Sequence, residues 1–384
     1  MIVMRYLRRI LSKVYSHLYG YEPLITISIS KERLLHNLAT YKKAYPHLAI
    51  APMLKSDAYG HGLCVIGRLL DKEGVAFFCV DSLYEARKLR EGGVRSPIVV
   101  MGYVRPEDIA HNHLSRVSFA ITDLEQLRTL SRIADKESLL HIKLDTGMHR
   151  NGILETDLEE CIELLQRNQN LHVDGVCSHL ADADNTDTRF SVAQLGIWER
   201  GLSKLHSAFP SLTYTHISAT KGARFSTHAP MNAVRIGMGL FGYDTAPESE
   251  LPLLPVLSMR TTITSLRTIQ HGESVGYGAT FTATRPSVIA TIPVGYAEGL
   301  DRALSNTGVV CIEDTACPLA GRVSMNMASV DVTDCRGVAR GDMVTVISNN
   351  PSAPNSMKGM AKKIGTTPYV LFAHLPAHIL RIVE

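Results

Sequence analysis

The stretch "LAIAPMLKSDAYGHG" (residues 48–62) joins an apolar run to a lysine and then to a glycine-rich turn. An apolar run that does not alternate suits a strand buried on both faces. Lys55 stands at the C-terminal end of that strand, and Gly60 and Gly62 allow close backbone approach just beyond it. Taken alone, a strand-end lysine is an ordinary solvated charge. The rest of the chain changes that reading.

The same texture recurs in "AFFCVD" (76–81), "PIVVMG" (97–102), "VSFAIT" (117–122), "LLHIKLD" (139–145), "VDGVCS" (173–178), "YTHIS" (214–218) and "AVRIG" (233–237). Helical patterns such as "SLYEARKLREGG" and "DLEECIELLQRN" lie between these runs, and Gly92 and Gly93 close the first of them. About eight strands, each followed by a helix, predict an α/β architecture of the (β/α)8 TIM-barrel kind; an open doubly wound sheet is the alternative. A barrel carries its functional groups at the C-terminal ends of its strands. Lys55, Asp145, His179, Ser218 and Arg235 fall at or near such ends.

Past "ESELPLLPVLS" (248–258) the texture changes. "VLSMRTTITSL" alternates, with Leu257, Met259, Thr261 and Ile263 on one side, and "VIATIPVGYA", "VVCIE", "MASVDVTD" and "DMVTVIS" follow between Gly, Pro, Asn and Asp. This predicts a mostly-β C-terminal domain. The expected organisation is an N-terminal basic extension (1–24), a barrel (25–250) and the β-domain (251–384). In the extension Leu7, Ile10, Leu11, Val14 and Leu18 keep helical spacing, and Arg5, Arg8, Arg9 and Lys13 break up any secretory apolar stretch. It reads as an amphipathic helix on the protein's own surface, with a weak membrane-surface or targeting role as the other reading. No run approaches membrane-spanning length.

Composition narrows the function. The formal net charge is only +3 and no Lys/Arg block is interleaved with aromatics, so nucleic acid is not expected as a partner. Seven cysteines without a CxxC pair point to reduced thiols in a cytoplasmic protein rather than to disulfides or zinc. "HLADADNTDT" (179–188) gathers His179, Asp182, Asp184 and Asp187 without HxH or HExxH, and reads as a polar loop, so no metal is expected. Gly237, Gly239 and Gly242 spell G-x-G-x-x-G, but after the last barrel strand rather than the first strand of a βαβ unit, which argues against a dinucleotide.

A lysine with a lowered pKa can form a Schiff base, and pyridoxal 5'-phosphate (PLP) is the common cofactor that uses one. PLP also needs a phosphate cradle and a partner for its pyridine nitrogen. "HISATKGARF" (216–225) offers Ser218, Thr220 and Gly222 for phosphate, and "AVRIGMGLFG" (233–242) brings Arg235 and Gly237 from the last strand. "IKLDTGMHRNG" (142–152) sets Lys143, Asp145 and Arg150 around a turn, where a guanidinium suits an anionic oxygen.

Together, "LKSDAYGHG", "KLDTGMHRNG", "SHLADAD", "VRIGMGLFGY", "SVGYGATF", "PVGYAEGLDR", "GRVSMN" and "TTPYV", in that order, resemble the alanine racemase family from about residue 25 onward. The resemblance implies an isomerase that interconverts L- and D-alanine with PLP by two-base proton transfer, supplying D-alanine for peptidoglycan. It implies that Lys55 carries the cofactor and is one base, and that Tyr277 from the partner subunit of a homodimer is the other. Arg150 contacts the cofactor's phenolic oxygen and is positioned by Lys143, which is carbamylated in many members. His179 links Tyr277 to Arg235, and Arg235 faces the pyridine nitrogen. Tyr59, Thr220, Gly237, Met238 and Tyr369 hold phosphate, and Met325 lies with Arg150 at the substrate. Asp184, Tyr296, Arg302 and Arg322 shape the entrance, and His61 is scaffold. A phenol is a poor base at neutral pH, so His179 and Arg235 are expected to act as cations that favour the phenolate.

Several positions depart from the family pattern. Ala219 stands where Asn is usual, Lys221 for Ala, Gly276 for Ser, Ser324 for Cys, Asn326 for Asp and Val370 for Glu. These changes leave open a racemase for serine or another amino acid. A PLP-dependent decarboxylase on the same two-domain plan is a further alternative, which Arg235 at the ring nitrogen argues against.

Overall fold

The computed structural model describes residues 20–227, 229–244 and 251–384. The chain divides into two compact units, residues 20–29 with Leu257–Glu384, and Ser30–Val256. The amphipathic helix expected at the N-terminus lies mostly outside the described residues.

The strand β1 (Thr26–Ile29) comes first in the chain. It pairs antiparallel with Leu257–Thr262 and parallel with Leu380–Val383, so it is part of the C-terminal β-sheet and not of the barrel. The sheet runs Thr315–Pro318, Val309–Ile312, Met343–Ile347, Leu257–Thr262, β1, Leu380–Val383. A second sheet of three strands joins Ser265–Ile269, Ser287–Ile292 and Ala328–Asp331. Leu257, Met259, Thr261 and Ile263 are all buried, as their alternation predicts.

The other unit is the barrel. Its strands are β2 (Ala49–Pro52), β3 (Phe78–Val80), β4 (Ile98–Val100), β5 (Val117–Ile121), β6 (Ser138–Lys143), β7 (Leu171–Cys177), β8 (Tyr214–His216) and β9 (Ala233–Ile236). Each lies within or overlaps one of the predicted runs. β3 to β8 form a continuous parallel sheet and β2 pairs parallel with β9. Two bridges close the circle: Met53 with Cys79 between β2 and β3, and Ala219 with Arg235 between the segment after β8 and β9. Ala51, Phe77, Cys79, Val99 and Ala233 pack together in the core. Burial of each large aliphatic or aromatic side chain contributes about 1.5–3 kcal/mol.

Helix starts between the strands follow local chemistry. The helix Leu83–Glu91 opens on a reciprocal capping box, Ser82 with Glu85, and Gly92 caps its end. The helix Leu124–Ile133 is capped by Asp123, which accepts from the Gln126 N–H. Such short connections leave the loops after the strand ends free to carry chemistry.

Candidate active site

Lys55 lies three residues beyond the end of β2, and the chain then does something L-residues avoid. Ser56, Asp57, Ala58 and Tyr59 have φ values of 55°, 54°, 53° and 53°, and Gly60 continues at 75°. This is one turn of left-handed helix, at a cost of about 1–2 kcal/mol for each non-glycine residue. Specific partners hold it. The Ser56 N–H donates to Glu85 Oε1 at 2.7 Å, and Asp57 Oδ1 accepts from the Leu63 N–H at 2.7 Å. Glu85 Oε2 also accepts from the N–H groups of Asp81 and Ser82, so one carboxylate caps a helix and pins the turn. His61 is fully buried, stacks on Phe241 at 4.0 Å and has Nδ1 within 2.9 Å of the Tyr59 carbonyl. Facing a carbonyl, Nδ1 is the donor.

The turn delivers Tyr59 to the start of the segment after β9. A β-carbon on Gly237 would stand 2.7 Å from the Tyr59 hydroxyl, so only glycine leaves room there. Thr220 Oγ1 accepts from the N–H groups of Gly237 and Gly239 at 3.2 and 3.4 Å. Met238 is buried beside them. With its oxygen accepting from these two N–H groups, the Thr220 hydroxyl has its own hydrogen left to donate, and it lies with the Tyr59 phenol around a cradle suited to an anion. Close by, the Ser218 hydroxyl is buried without a hydrogen-bond partner. Lys221, next after Thr220, pairs with Asp184. Asp184 is therefore held by a cation; among the described residues no His, Cys, Asp and Glu cluster could hold a metal ion.

Beneath the mouth lies Arg235, buried at the centre of β9. Nη1 donates to His216 Nδ1 (2.7 Å) and to the His216 carbonyl (2.6 Å). Nη2 donates to the carbonyls of Ser178 and Ile217 (2.7 and 2.9 Å) and reaches His179 Nδ1 at 3.1 Å. A guanidinium has no acceptor, so both Nδ1 atoms accept and the proton of His179 sits on Nε2. Burial, and then Arg235, Arg150, Lys143 and Lys55, push the His179 imidazole down to about 3. The expectation of a cationic His179 is therefore corrected: it is a neutral Nε2–H donor, because it is buried among four cations.

Lys143, the last residue of β6, is buried and donates to Asn151 Oδ1. Burial is the main cause that lowers its pKa, with Arg150 and Arg235 adding to it. Asp145 Oδ1 accepts from the N–H groups of Gly147 and His149 (2.9 and 3.0 Å) and so shapes the turn that leads to the exposed Arg150.

In the other unit Tyr277 is 71% exposed, on a turn flanked by Gly276 and Gly278 at positive φ. A β-carbon on Gly278 would come within 2.9 Å of the Arg322 guanidinium, so these two predicted residues share one loop cluster. Tyr296 and Arg302 line a cavity of about 490 Å³ with Gly299, Asp301, Leu371 and His374. Met325 is exposed, and Tyr369 is half-buried on the short helix Pro368–Ala373. Asn326 donates to Glu298 Oε1 at 2.8 Å. An aspartate there would oppose a second carboxylate, which gives a physical reason for this departure.

Sequence reasoning passed over four residues that organise the barrel site: Glu85, His141, Asp174 and His216. Two signals were available. His141 and His216 are polar residues inside the apolar strands "LLHIKLD" and "YTHIS", and Asp174–Gly175 interrupts "VDGVCS", as a bulge does.

Chemistry gathered at the strand ends of a closed parallel barrel defines an α/β-barrel enzyme with a seat for an anionic group. The sequence matches two family descriptions, "Alanine racemase, N-terminal domain" over residues 29–245 and "Alanine racemase, C-terminal domain" over residues 256–383. Alanine racemase 1 of Caldanaerobacter subterraneus subsp. tengcongensis is 33% identical over 364 residues, 93% of this chain and 94% of that one. The chain thus belongs to the alanine racemase family and is an isomerase of that family. Among solved structures, alanine racemase of Clostridium difficile 630 superposes with a TM-score of 0.88 at 26% identity, covering 94% of this chain and 96% of that one. Alanine racemase of Bartonella henselae, solved with covalently bound pyridoxal phosphate, superposes with a TM-score of 0.81 at 25% identity, covering 94% and 100%.

Proposed function

We propose that this chain interconverts L- and D-alanine with PLP at the barrel mouth, as a cytoplasmic homodimer that supplies D-alanine for peptidoglycan. One observation carries the reading. Lys55, Lys143, Arg150 and Arg235 all act on the neutral His179, and the Tyr59–Thr220–Gly237 cradle belongs to the same barrel. An anionic cofactor with a phosphate, a phenolic oxygen and a ring nitrogen matches that set of donors, and the space opposite Tyr59 is one that a β-carbon on Gly237 would fill.

PLP supplies the electron withdrawal that acidifies the substrate's α-proton. The protein's residues do the rest. Tyr59, Thr220, Gly237, Met238 and Tyr369 hold the phosphate. Arg235 keeps a proton on its own guanidinium and offers Nε–H, the donor that no described residue takes up, to the ring nitrogen. Arg150, positioned by Lys143, meets the phenolic oxygen and the substrate, with Met325 at the carboxylate. The Lys55 amine moves the α-proton on one face, and Tyr277 of the partner subunit moves it on the other. The Nε2–H of His179 donates to that phenol's oxygen and favours its anion. Asp184, Tyr296, Arg302 and Arg322 shape the entrance.

The domain roles follow the two units: the barrel unit, Ser30–Val256, holds the cofactor, and the β-unit that contains Leu257–Glu384 lends groups to the partner's site. Among the described residues no helix is long and apolar enough to cross a membrane.

The test is direct. Purified protein titrated with PLP is expected to gain a visible band that borohydride removes, and Lys55→Ala is expected to lose it. D-alanine is expected to form from L-alanine at a higher kcat/KM than D-serine from L-serine. A protein that takes up no PLP, or one that turns over serine faster than alanine, would overturn the assignment.

A further inference from the structure

Two histidines occupy the barrel core, where neighbouring strand positions carry aliphatic side chains. His216 ends β8, His141 lies on β6, and both are fully buried. Phe77 packs against both rings, with centroids 5.6 Å from His141 and 5.2 Å from His216. Their polar contacts run in a single line. Arg235 Nη1 donates to His216 Nδ1 at 2.7 Å, and His216 Nε2 meets His141 Nδ1 at 2.8 Å. His141 Nε2 makes no hydrogen bond but faces Asp174 Oδ2 at 3.6 Å, within electrostatic reach, and Ser118 Oγ donates to the same oxygen at 3.4 Å.

The order of the line fixes every proton. Arg235 can only donate, so His216 Nδ1 is bare and His216 carries its proton on Nε2. That proton is donated to His141 Nδ1, which must also be bare. His141 therefore keeps its own proton on Nε2, the atom turned toward the Asp174 carboxylate. A cation at one end and an anion at the other select the same tautomers. Burial, and then Arg235 and the neighbouring histidine, hold the His216 imidazole well below its usual range. Burial lowers His141 as well, opposed by Asp174.

The backbone is bent to make this line. β6 and β7 lose register between Leu140 and His141: Leu140 faces Val173 and His141 faces Gly175, which leaves Asp174 as the extra residue. A β-carbon on Gly175 would lie 2.4 Å from Nδ1 of His141. A bulge and a strand glycine weaken a sheet unless they re-aim a side chain. Here they admit the His141 ring and bring Asp174 to its far nitrogen.

We propose that His141 and Asp174 are positioning residues that hold His216 in its Nε2–H tautomer and thereby fix the plane of Arg235. The other contacts of Arg235 are backbone carbonyls, apart from His179, so His216 is the partner from the strand core whose acceptor depends on a tautomer. This inference rests on the reading of Arg235 as the pyridine partner. A tilted Arg235 meets the ring nitrogen poorly, which lowers turnover and relaxes control over side reactions such as transamination.

The test uses full-length protein with and without PLP. Two-bond proton–nitrogen NMR correlations of labelled histidines in the cofactor-free protein are expected to show His216 bare at Nδ1. His141→Phe keeps a ring but removes the acceptor; it is expected to give His216 a mixed tautomer. With PLP and alanine, kcat is expected to fall about tenfold or more with KM little changed. The visible cofactor band is expected to decay faster during turnover. Asp174→Ala is expected to do the same in part, and Asp174→Asn, which retains an acceptor oxygen, to restore most of it. If His141→Phe does not fold, the two Asp174 variants decide. An unchanged His216 tautomer with unchanged band decay, or equal behaviour of Asp174→Ala and Asp174→Asn, would reduce the line to packing. If the wild type takes up no PLP, the pyridine-partner reading fails, and the NMR comparison still decides whether His141 and Asp174 set the tautomer.

Discussion

The hydroxyl of Tyr59 lies where a β-carbon on Gly237 would come within 2.7 Å of it. Two segments far apart in sequence thus close to van der Waals contact, and a side chain at 237 would have to displace the phenol. The approach depends on the left-handed turn after Lys55, so the same backbone feature places both Lys55, the proposed reactive amine, and Tyr59, the proposed phosphate ligand.

Gly237→Ala is therefore expected to push the phenol away and weaken PLP binding by about tenfold or more, since a displaced polar contact to a charged group costs about 1.5–3 kcal/mol. PLP titration of the apoprotein measures this. Tyr59→Phe in the same background removes the hydroxyl that clashes and is expected to add little further loss. Wild-type affinity in Gly237→Ala would show that the phosphate lies elsewhere.

Glu85 offers a second handle on the same turn. Its carboxylate accepts from Ser56, Asp81 and Ser82, and none of these N–H groups belongs to the cofactor cradle. Glu85→Ala is expected to destabilise the protein by about 0.5–1.5 kcal/mol, the net worth of a typical hydrogen bond, because two of the three donors it strands are exposed to water. It is also expected to lower kcat, because Lys55 opens the turn that Ser56 anchors. Urea unfolding and steady-state rates, compared with Glu85→Gln, separate the two effects. A variant that loses stability but keeps full turnover would mean that the turn tolerates relaxation.

The parts of this architecture visible in the sequence are those that follow a period or stand at a boundary. Eight apolar runs mark the barrel because both faces of each strand are buried, and Lys55, His179 and Arg235 stand out at or near strand ends. β1 gave no such signal, because it is short and its partners lie more than two hundred residues away. His141 and His216 hid inside strands, where a buried polar residue is expected to be inert unless its partners are known. Tyr277 and Met325 sit on exposed loops without periodicity, so only the family resemblance pointed to them. The neutral state of His179 is hidden for a different reason: its burial and its proximity to Arg235 and Lys143 are tertiary facts, and both disfavour the imidazolium.

Stability is expected to fall in acid because of those histidines. His179, His216 and His141 all have folded-state values below the ordinary 6.5 of the unfolded chain. Between 6.5 and the folded values the unfolded chain binds more protons, so the contribution is complete above about pH 6.5 and is lost as pH falls. Each such group is worth up to about 1.4 kcal/mol per pH unit in that window. Melting temperatures of the cofactor-free protein are expected to drop between pH 7.5 and 5, and less steeply in His179→Asn. A melting temperature that is flat over this range would show that these imidazoles are not held neutral.

Lys143 is expected to accept a carbamate. Carbon dioxide adds to a neutral amine, and burial together with Arg150 and Arg235 lowers the pKa of Lys143. The carbamate formed would be an anion beside Arg150, which reverses the local repulsion. Protein equilibrated with carbon-13 bicarbonate is expected to show a carbamate resonance that Lys143→Ala lacks. Its absence would leave Asn151, which already accepts from the Lys143 ammonium, as the group that steadies this corner.

The sharpest prediction concerns the two bases. Lys55 opens the turn three residues past the end of a barrel strand, whereas Tyr277 stands 71% exposed in the other unit, as a residue destined for a neighbour would. If each site pairs Lys55 of one subunit with Tyr277 of the partner subunit, Lys55→Ala and Tyr277→Phe homodimers each lack a base at both sites. In a mixed dimer one site has lost both bases and the other has kept both. Each mixed dimer then has half of the wild-type activity, and random exchange of equal amounts makes half of all dimers mixed. Recovery to about a quarter of wild-type turnover is therefore expected for a two-fold dimer with shared sites. Sizing and native mass measurement verify that exchange has occurred. Verified mixed dimers without activity would place both bases on one subunit, and Tyr277 would then have to reach Lys55 within a single chain.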